Sequence, residues 1–574
     1  MAINFFNSEK ILRLTPLAKD TETVADNILA GDVRVFPKLP NVRVGSLEEL
    51  WEMQFESAPS TYALYVYALY PVSYLLNAYE ATGRSSYLKN ALTLAMSFLD
   101  WELASGKGIN KRRNKILFGD HAVSNRTQVL CYLVCCLKEE GHEINGDIEA
   151  ALLRNGEYLA NIDNYSHYNH GLMMDLALLG LVNTLAVFWF DYPRHLKTSL
   201  LNRLQHSIVR DLTEDGVHIE NSPGYHFWML GFLGRITPAL QVFDKHLYLK
   251  AQGMLRKATE YAEYITRPDG SVPAVGDTHA SVTYKSRKGL ESKFFPHANQ
   301  VVFRSSKDDI WAHFSCGYKT HVHKHHDNGS FILFYNGKDI FIDPGFLTYE
   351  NEIDAVKIKG SSFHNTAVPI GKDQVIVAAN LFVDKQSYDK NLSGSRIIGY
   401  VRDLEIEYTL GVVADYPNVE VERLIVWIKP NVFLVFDSTT PFDEGFDQIF
   451  HIPPDLTPIV SQEGIVLYSI DCEPIAKVLQ YSGGKCKFDP SIASLLPAFY
   501  ASDFGVKADS SRLVFRCLKA CSLAVAEVFA ADEHSFVIDS FDGVVVKYRR
   551  NGDERVLDFS SLKKELYSKG DDAG

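Results

Sequence analysis

Four histidines lie within six residues, from His321 to His326, immediately before a predicted β-hairpin. Asn336-Gly337 forms the predicted turn, with β-prone residues on both sides. Asn-Gly between apolar strands is the strongest short-range hairpin signal, because both turn residues adopt positive φ. A two-residue turn also sets the register of the strands, so the residues that face each other across the hairpin follow from the sequence.

The predicted register brings a carboxylate back to the histidines. It pairs Tyr335 with Lys338, Leu333 with Ile340 and Ser330 with Asp343. Asp343 then lies beside His323 and His325, and His364 in SSFHNTAV could supply a third imidazole. Zinc and similar ions use this set of ligands. A solvated histidine-rich loop is the alternative, but the register favours a metal site.

A second group of chemically capable residues lies at two predicted loop-to-helix junctions. Asn169 and His170 precede one apolar helix, and Glu220, Tyr225 and His226 lie at the entrance of another. In a helical barrel such junctions line up at one end, which forms a natural rim for a cleft. A phenol beside an imidazole is a usable acid/base pair, and an amide can bind a carboxylate. Local capping is the alternative, and for Glu220 alone it is the favoured one.

Two patterns divide the chain into parts that must position these residues. From about residue 46 to 267, apolar residues recur with helical period, and residues 61–83 read as one helix. This pattern predicts antiparallel helix pairs in layers. From Val301 onward, β-branched and aromatic residues alternate with polar ones between turn signals, which is typical of an antiparallel β-sandwich. We expect a helical domain over residues 1–290, a sandwich over 291–574, and a linker over 286–300.

Composition restricts the possible partners. The chain has 574 residues, too many for one core, with 46% hydrophobic residues and a net charge of −13. Such an acidic protein is not expected to bind nucleic acid over its surface. Any anionic ligand would have to be held by local cations.

Targeting signals are absent from the sequence pattern. The N-terminus lacks a basic segment followed by a long apolar one, and no uncharged apolar run reaches membrane-spanning length. None of the eight cysteines forms a CxxC pair, and most have apolar neighbours. We therefore expect no membrane insertion and a cytoplasmic location, with a periplasmic one as the alternative. The sequence makes no prediction of oligomeric state.

Five segments, in order, resemble the heparinase II/III family of polysaccharide lyases, which includes related alginate lyases. They are NHGLMMDLALL, GVHIENSPGYHFWM, PAVGDT, HKHHDNGSFILFYNGKDIFIDPG and SSFHNT. The ordered set is far more specific than any one member. The resemblance implies an N-terminal (α/α) toroid followed by an antiparallel β-sandwich. It also implies β-elimination on a uronate-containing acidic polysaccharide or oligosaccharide.

The resemblance also assigns roles to residues. Asn169 and His323 would neutralise the uronate carboxylate, Tyr225 would be base, acid or both, and His170 would be the base for the opposite C5 configuration. His325, Asp343 and His364 would hold a structural zinc. A single site requires His323 of the β-rich half to lie near Tyr225, on the order of 10 Å away.

Three further residues are candidates for substrate contacts. Arg126 lies at a predicted helix start among uncharged neighbours, and Glu220 and His226 flank Tyr225. Two other functions stay open. One is a hydrolase on the toroid scaffold that uses two carboxylates such as Asp215 and Glu220. The other is a non-catalytic or biosynthesis-associated glycan-binding protein that keeps the fold and the zinc.

Overall fold

The computed structural model describes residues 12–571, apart from residues 38, 57, 106–114, 167, 190, 308, 350–351, 377–393, 441–444, 483–487, 520 and 530–534. The chain divides into two compact units. The first comprises Met1–Asp211 and Trp228–Leu255, and the second comprises Leu212–Phe227 and Arg256–Gly574. The sequence boundary at residue 290 follows the change from helices to strands, whereas the compact unit that holds the large sheets already begins at Leu212.

Helices account for most of the first unit, and the last two helices of the chain lie in the second unit. In chain order the helices are α1 Thr21–Leu29, α2 Pro59–Tyr67, α3 Tyr70–Thr82, α4 Ser85–Ser105, α5 Asp120–Glu139, α6 Gly146–Ala160, α7 Tyr168–Phe188, α8 Arg194–Arg210, α9 Pro223–Phe243, α10 Lys245–Ile265, α11 Ile353–Lys357 and α12 Phe559–Asp571. A short strand pair, β1 Asp32–Val33 and β2 Val42–Arg43, accompanies them. The predicted succession of helices is therefore confirmed.

One predicted helix is in fact two. The sequence pattern over residues 61–83 is continuous, but α2 ends at Tyr67 and α3 begins at Tyr70. Leu69 between them has a φ of 62°, and Pro71 lies in the first turn of α3. Proline has no N–H and its ring collides with the carbonyl four residues earlier, so an uninterrupted helix would lose a hydrogen bond there. The chain breaks instead and starts a new helix.

α7 is long and apolar enough, over His170–Phe188, to cross a membrane, and it is the one such helix among the described residues. However, 78% of its most apolar window is buried inside the protein. Its one carboxylate, Asp175, is fully buried and lies 2.8 Å from the guanidinium of Arg203 on α8. An apolar helix that is buried all round and carries a paired internal charge is typical of a helical core.

Strands dominate the second unit. They are β3 Lys293–Phe295, β4 Gln300–Arg304, β5 Ile310–Ser315, β6 Ser330–Tyr335, β7 Lys338–Phe341, β8 Ala367–Pro369, β9 Arg396–Arg402, β10 Ile406–Tyr416, β11 Val419–Ile428, β12 Val432–Thr440, β13 Phe446–Ile452, β14 Leu456–Ser461, β15 Gly464–Ser469, β16 Pro474–Ser482, β17 Ala493–Asp503, β18 Val506–Cys517, β19 Cys521–Val528, β20 Phe536–Phe541, β21 Val545–Arg550 and β22 Asp553–Asp558. They form sheets in the orders β3-β4-β5-β6-β7, β14-β15-β16-β19-β12-β11-β10-β9, β17-β18-β13-β8 and β20-β21-β22. Every pairing between these strands is antiparallel, as the alternating pattern predicts.

The eight-stranded sheet is buried on both faces. Successive side chains of a strand point to opposite faces, so Ile425 and Trp427 of β11 enter the core shared with the five- and four-stranded sheets. Leu424 and Val426 enter a second core with β20–β22 and α12. This double burial explains why β11 is a nearly continuous apolar run.

The predicted hairpin is present, with one difference in register. Asn336 and Gly337 have φ of 44° and 83°, as a two-residue turn with positive φ requires. The observed pairs are Tyr335 with Lys338, Phe334 with Asp339, and Leu333 with Phe341. The first two pairs keep the predicted register, but a β-bulge at Ile340 moves the partner of Leu333 from Ile340 to Phe341, because one residue of β7 is left unpaired. Asp343 follows the end of β7.

The predicted linker over residues 286–300 is wrong in its second half. Lys293–Phe295 forms β3, the edge strand of the five-stranded sheet, and pairs with β4. The polar, Gly-containing first half suggested a linker, but Phe294 and Phe295 supply apolar side chains that pack against cores of the second unit.

The segment Leu212–Phe227 joins the strands through a small apolar cluster. Val217 packs with Tyr261 of α10, with Phe295 and with Trp311 of β5. Because these residues are buried together, the loop that leads into α9 is fixed against the five-stranded sheet. The entrance of α9 and the histidine-rich segment therefore belong to one compact unit.

Candidate functional site

A phenol and an imidazole stack at the centre of the candidate site. Tyr225, in the first turn of α9, and His323, in the loop before β6, have ring centroids 3.9 Å apart and ring planes within 13°. The Tyr225 hydroxyl lies 2.6 Å from the hydroxyl of Tyr349, which is 3.4 Å from Nδ1 of His323. The prediction that His323 lies within one sugar of Tyr225 is confirmed.

Hydrogen bonds between side chains and backbone groups hold the entrance of α9 to the histidine-rich segment. Asn221, with a φ of 58°, donates its side-chain amide to the carbonyls of Thr320 and Val322, at 2.6 and 2.9 Å. Gly224, one residue before Tyr225, donates its N–H to the hydroxyl of Thr278 at 3.0 Å, which satisfies one of the free donors at a helix start. These contacts fix Tyr225 relative to the loop that carries His323.

Asp277 bridges two histidines of that segment. One carboxylate oxygen lies 2.6 Å from Nδ1 of His323, and the other lies 2.9 Å from Nε2 of His325. Burial works to raise the pKa of Asp277, but hydrogen bonds from both imidazoles outweigh it and hold that pKa far below its usual range. Gly276 before it has a φ of 55°, and a Cβ there would lie 2.6 Å from the carbonyl oxygen of Asn221, so the approach requires glycine.

Glu220 lies buried behind His323. Its carboxylate is 2% exposed and lies 3.3 Å from Nε2 of His218 and 3.6 Å from Nε2 of His323. The prediction that Glu220 contacts substrate is therefore wrong, because the carboxylate is enclosed by imidazoles. It places negative charge behind the His323 ring.

Tyr349 presents its hydroxyl to the site while 58% of the residue stays exposed. Burial of that hydroxyl, together with the charge of Asp277 and the contact with Tyr225, raises the pKa of Tyr349. A phenol that keeps its proton can donate in the contact between the two hydroxyls, in which either oxygen can be the donor.

His325, Asp343 and His364 come together in the interior. Their ligand atoms lie within 4.8 Å of one another, and all three side chains are buried. Nδ1 of His364 lies 2.9 Å from Oδ2 of Asp343. Burial alone would lower the pKa of His364, but the Asp343 carboxylate outweighs this effect and raises it. The three residues predicted as metal ligands therefore form one cluster, although the register shift moves Asp343 off the predicted strand partner.

Two orphaned nitrogens show that a metal fits this cluster. Nδ1 of His325 and Nε2 of His364 are buried and have no hydrogen-bond partner among the residues that the structure describes. An unpaired buried polar atom costs about 1–3 kcal/mol, so two in one cluster indicate a missing partner. Asp277 engages the other nitrogen of His325 and thereby aims Nδ1 at the cluster. A carboxylate on the outer nitrogen is the usual arrangement behind a metal-binding imidazole.

His170 lies in the helical unit, where it pairs with a carboxylate. Its Nδ1 is 3.0 Å from Oδ2 of Asp120 at the start of α5, and its side chain is 41% exposed. Burial favours a raised pKa for Asp120, but hydrogen bonds from His170 and Ser166 reverse the effect and lower it. Asn169 falls in α7, and its side chain lies outside the described residues.

Arg126 does not present its charge to a ligand, so its prediction as a subsite residue is wrong. The residue is 1% exposed. Its guanidinium lies 3.1 Å from Glu102 and donates to the carbonyls of Tyr67 and Leu117. Uncharged neighbours in sequence marked a buried position and not a binding one.

His226 is also structural, and the prediction that it contacts substrate is wrong. The residue is 1% exposed. Its Nδ1 accepts the backbone N–H of His218 at 3.2 Å, and its Nε2 donates to the carbonyl of Ala258 at 2.9 Å. Both bonds require the neutral ring, and burial lowers the pKa of His226 to about 3.

Sequence reasoning missed two residues of the site, Asp277 and Tyr349. Asp277 lies in the segment PAVGDT, where a carboxylate directly after a glycine was the available signal. Tyr349 lies in an irregular segment after β7, and no pattern marks it. Its position depends on tertiary packing against Phe346, whose ring centroid is 4.5 Å away.

Comparison with known proteins identifies two family models that match the chain. The model described as Heparinase II/III N-terminus matches residues 74–303, and the model described as Heparinase II/III-like, C-terminal, matches residues 287–517. The two matches are consecutive and together run from residue 74 to 517. No curated protein sequence matches the chain.

Solved structures share the fold at low sequence identity. Heparinase III has a TM-score of 0.74 at 15% identity, over 95% of this chain and 92% of that one. Heparan sulfate lyase HepC from Pedobacter heparinus has a TM-score of 0.67 at 14% identity, over 97% and 92% of the two chains. A heparinase III with methylated lysines has a TM-score of 0.68 at 16% identity, over 96% and 91%. The predicted fold class, an (α/α) toroid followed by an antiparallel β-sandwich, is confirmed.

Proposed function

Because the chain belongs to the heparinase II/III family, we propose that it is a polysaccharide lyase that cleaves a uronate-containing acidic glycan by β-elimination. The observation that carries the proposal is the stacked pair of Tyr225 and His323, with their rings 3.9 Å apart. A phenol held against an imidazole, whose outer nitrogen is held by a carboxylate, is an acid/base unit.

The reaction sets two requirements. The proton on C5 of a uronate is weakly acidic, and it becomes removable when the charge of the adjacent carboxylate is neutralised as the enolate-like state develops. The oxygen that departs from C4 then needs a proton. A lyase site therefore needs a group that neutralises the carboxylate, a base, and an acid close to both.

His323 meets the first requirement in this proposal. Asp277 binds its Nδ1 at 2.6 Å, which orients the ring and keeps a proton on that nitrogen. Glu220 lies 3.6 Å from Nε2 and adds negative charge behind the ring. The imidazolium is the form of the ring that can neutralise a uronate.

Tyr225 meets the second requirement. Its hydroxyl is hydrogen-bonded to the hydroxyl of Tyr349, and its ring stacks on the ring of His323. A protonated Tyr349 donates to the Tyr225 oxygen, and this bond is strongest when Tyr225 carries negative charge. Tyr225 can therefore take the C5 proton as a phenolate and return a proton to O4 as a phenol.

For Asn169 and His170, which lie in the first unit, the proposal keeps the roles that the family resemblance implies. Asn169 shares neutralisation of the uronate carboxylate, and His170, held by Asp120 at 3.0 Å, is the base for a uronate of opposite C5 configuration. Loss of turnover on only one C5 epimer after His170→Ala would support this division. Equal loss on both epimers would contradict it.

His325, Asp343 and His364 hold zinc in this proposal. Two imidazole nitrogens and a carboxylate oxygen are three ligands of a tetrahedral site. The bound ion would supply structure, because it ties the end of β7 and the loop of His364 to the histidine-rich segment. The acid/base groups come from Tyr225 and His323 and do not require it.

A hydrolase that uses Asp215 and Glu220 has less support. Asp215 accepts the backbone N–H groups of His297 and Ala298 at 2.7 and 3.1 Å. Glu220 is enclosed by His218 and His323. Both carboxylates therefore have structural partners.

The decisive experiment is ultraviolet absorbance during incubation with a panel of uronate polymers. A lyase makes an unsaturated uronate that absorbs, so absorbance rises with time. New reducing ends without absorbance would replace the lyase with a hydrolase. Binding without either product would indicate a non-catalytic glycan-binding protein.

We also propose a cytoplasmic location. The cysteines of the described residues are free thiols, and four of them, Cys131, Cys136, Cys316 and Cys517, are buried. This arrangement suits a reducing compartment. Fractionation of cells that finds the protein in the periplasm would contradict it.

A further inference from the structure

One cation lies beside the acid/base cluster and has no part in the chemistry described above. The ammonium of Lys359 is 3.5 Å from Oδ1 of Asp277, and its side chain is 34% exposed. It lies over two aromatic rings, 5.1 Å from the centroid of Phe346 and 5.8 Å from that of Tyr349. The hydroxyl of Tyr349 in turn lies 2.6 Å from that of Tyr225.

The position of Lys359 is fixed by its backbone. Its carbonyl accepts the N–H of His326 at 2.8 Å, and its own N–H donates to the carbonyl of Val356 at 3.2 Å. Ile358 before it is fully buried. The lysine is therefore held beside the histidine-rich segment, whereas an unrestrained surface lysine would sample many positions.

The ammonium keeps its hydrogen-bonding capacity. Asp277 already binds two imidazoles, at 2.6 and 2.9 Å, and 3.5 Å is beyond the usual length of a hydrogen bond to a third partner. Across the described part of the chain, Lys359 donates no side-chain hydrogen bond. Three N–H donors on a partly exposed cation are thus available to an anion that enters from solvent.

We propose that Lys359 is a specificity-determining residue that binds an anionic group, a carboxylate or a sulfate, of the glycan in the site. The inference rests on the proposed function, because it takes the substrate to be an acidic polysaccharide. On a chain with a net charge of −13, a held cation beside the acid/base cluster selects for a substrate that carries negative charge at this position.

The test compares Lys359→Met with Lys357→Met. Lys357 lies two residues away, is 57% exposed, and pairs at 3.8 Å with Asp354, which has Lys507 as a second partner. Both variants remove one positive charge, from positions two residues apart at the end of α11. Lys359→Arg keeps the charge and should rescue the loss.

Dissociation constants are measured by calorimetry for a heparan sulfate oligosaccharide and for the same material after chemical desulfation. Lys359→Met should weaken binding about tenfold, the scale of one hydrogen bond to a charged group, and should lower the salt dependence of binding. Lys357→Met should bind as the wild-type protein does. Turnover at saturation should change less than the dissociation constant.

The two substrates separate the sources of the anion. A loss confined to the sulfated oligosaccharide identifies a sulfate, and a loss on both identifies a carboxylate. The proposal is overturned if Lys359→Met binds both as Lys357→Met does, or if the wild-type protein binds neither. Failure of the lyase proposal is seen separately, as binding without any absorbing product.

Discussion

His323 and His325 are two residues apart and share one carboxylate, yet they lie in two different side-chain clusters. His323 has a side chain that is 17% exposed, and it stacks on Tyr225. His325 is fully buried and lies in one cluster with Asp343 and His364. The exposed imidazole can meet a substrate, whereas the buried one has an orphaned nitrogen that only an interior partner can satisfy. Burial, and not residue type, separates the two roles.

The largest expected effect is loss of the metal cluster. His364→Ala should abolish stoichiometric zinc in elemental analysis and lower the thermal midpoint of unfolding. The reason is that a structural zinc ion binds only the folded chain, so its binding stabilises the fold by several kcal/mol. His323→Ala is the matched control on the exposed side of the comparison. It should keep zinc and stability while turnover falls. Protein that contains no metal, with no destabilisation by a chelator, would contradict the assignment.

Tyr225→Phe removes only a hydroxyl from the exposed cluster. Turnover should fall by at least about 100-fold, the usual scale for loss of a general acid or base, with zinc content and thermal midpoint unchanged. Steady-state kinetics on a confirmed substrate measure it. Tyr567→Phe, which removes a hydroxyl bonded to Glu422 at 2.6 Å, is the control and should retain activity. Unchanged turnover in Tyr225→Phe would refute the role of this phenol.

Asp277→Asn should affect both sides of the comparison at once. The carboxylate orients His323 and aims His325, so we expect metal affinity and turnover each to fall by about 10–100-fold, as for other carboxylates behind metal-binding imidazoles. Asp373→Asn is the control. Asp373 also contacts a histidine of this segment, at 3.0 Å from Nδ1 of His326, but His326 belongs to neither cluster. A change in turnover without a change in metal affinity would show that Asp277 serves His323 alone.

The smallest expected effect concerns His226, which lies next to Tyr225 but is buried and neutral. Its folded pKa is lowered to about 3 from 6.5, so the unfolded chain binds more protons below pH 6.5. Its contribution to stability is complete above pH 6.5 and is lost as pH falls toward 3, by about 1.4 kcal/mol per pH unit. Burial also lowers the pKa of His313, to about 4. His313 therefore makes the loss of stability steeper between pH 6.5 and pH 4.

Denaturant unfolding between pH 7 and pH 4 measures this slope. His226→Gln, which offers an amide in place of the ring, should show a shallower decline than the wild-type protein. An unfolding free energy that stays constant over this range would show that His226 is not held neutral.

Local sequence patterns were sufficient for the elements. Apolar residues at helical period predicted the helices, and alternation predicted the antiparallel strands, because each period places apolar side chains on one face of its element. Asn336-Gly337 predicted the hairpin turn. The bulge at Ile340 was not predicted, and the break at Leu69 was missed although Pro71 is a local signal for it.

The sequence by itself determined the chemical residues and their order: Tyr225 after a helix start, the histidines before a hairpin, and Asp343 and His364 beyond it. These are local features, which can be recognised from short motifs and their order along the chain. Only the tertiary structure decided which residues are exposed. It buried Arg126, His226 and Glu220, and it brought Asp277 and Tyr349 to His323. Burial is a property of the packed chain as a whole, so no local pattern could assign it.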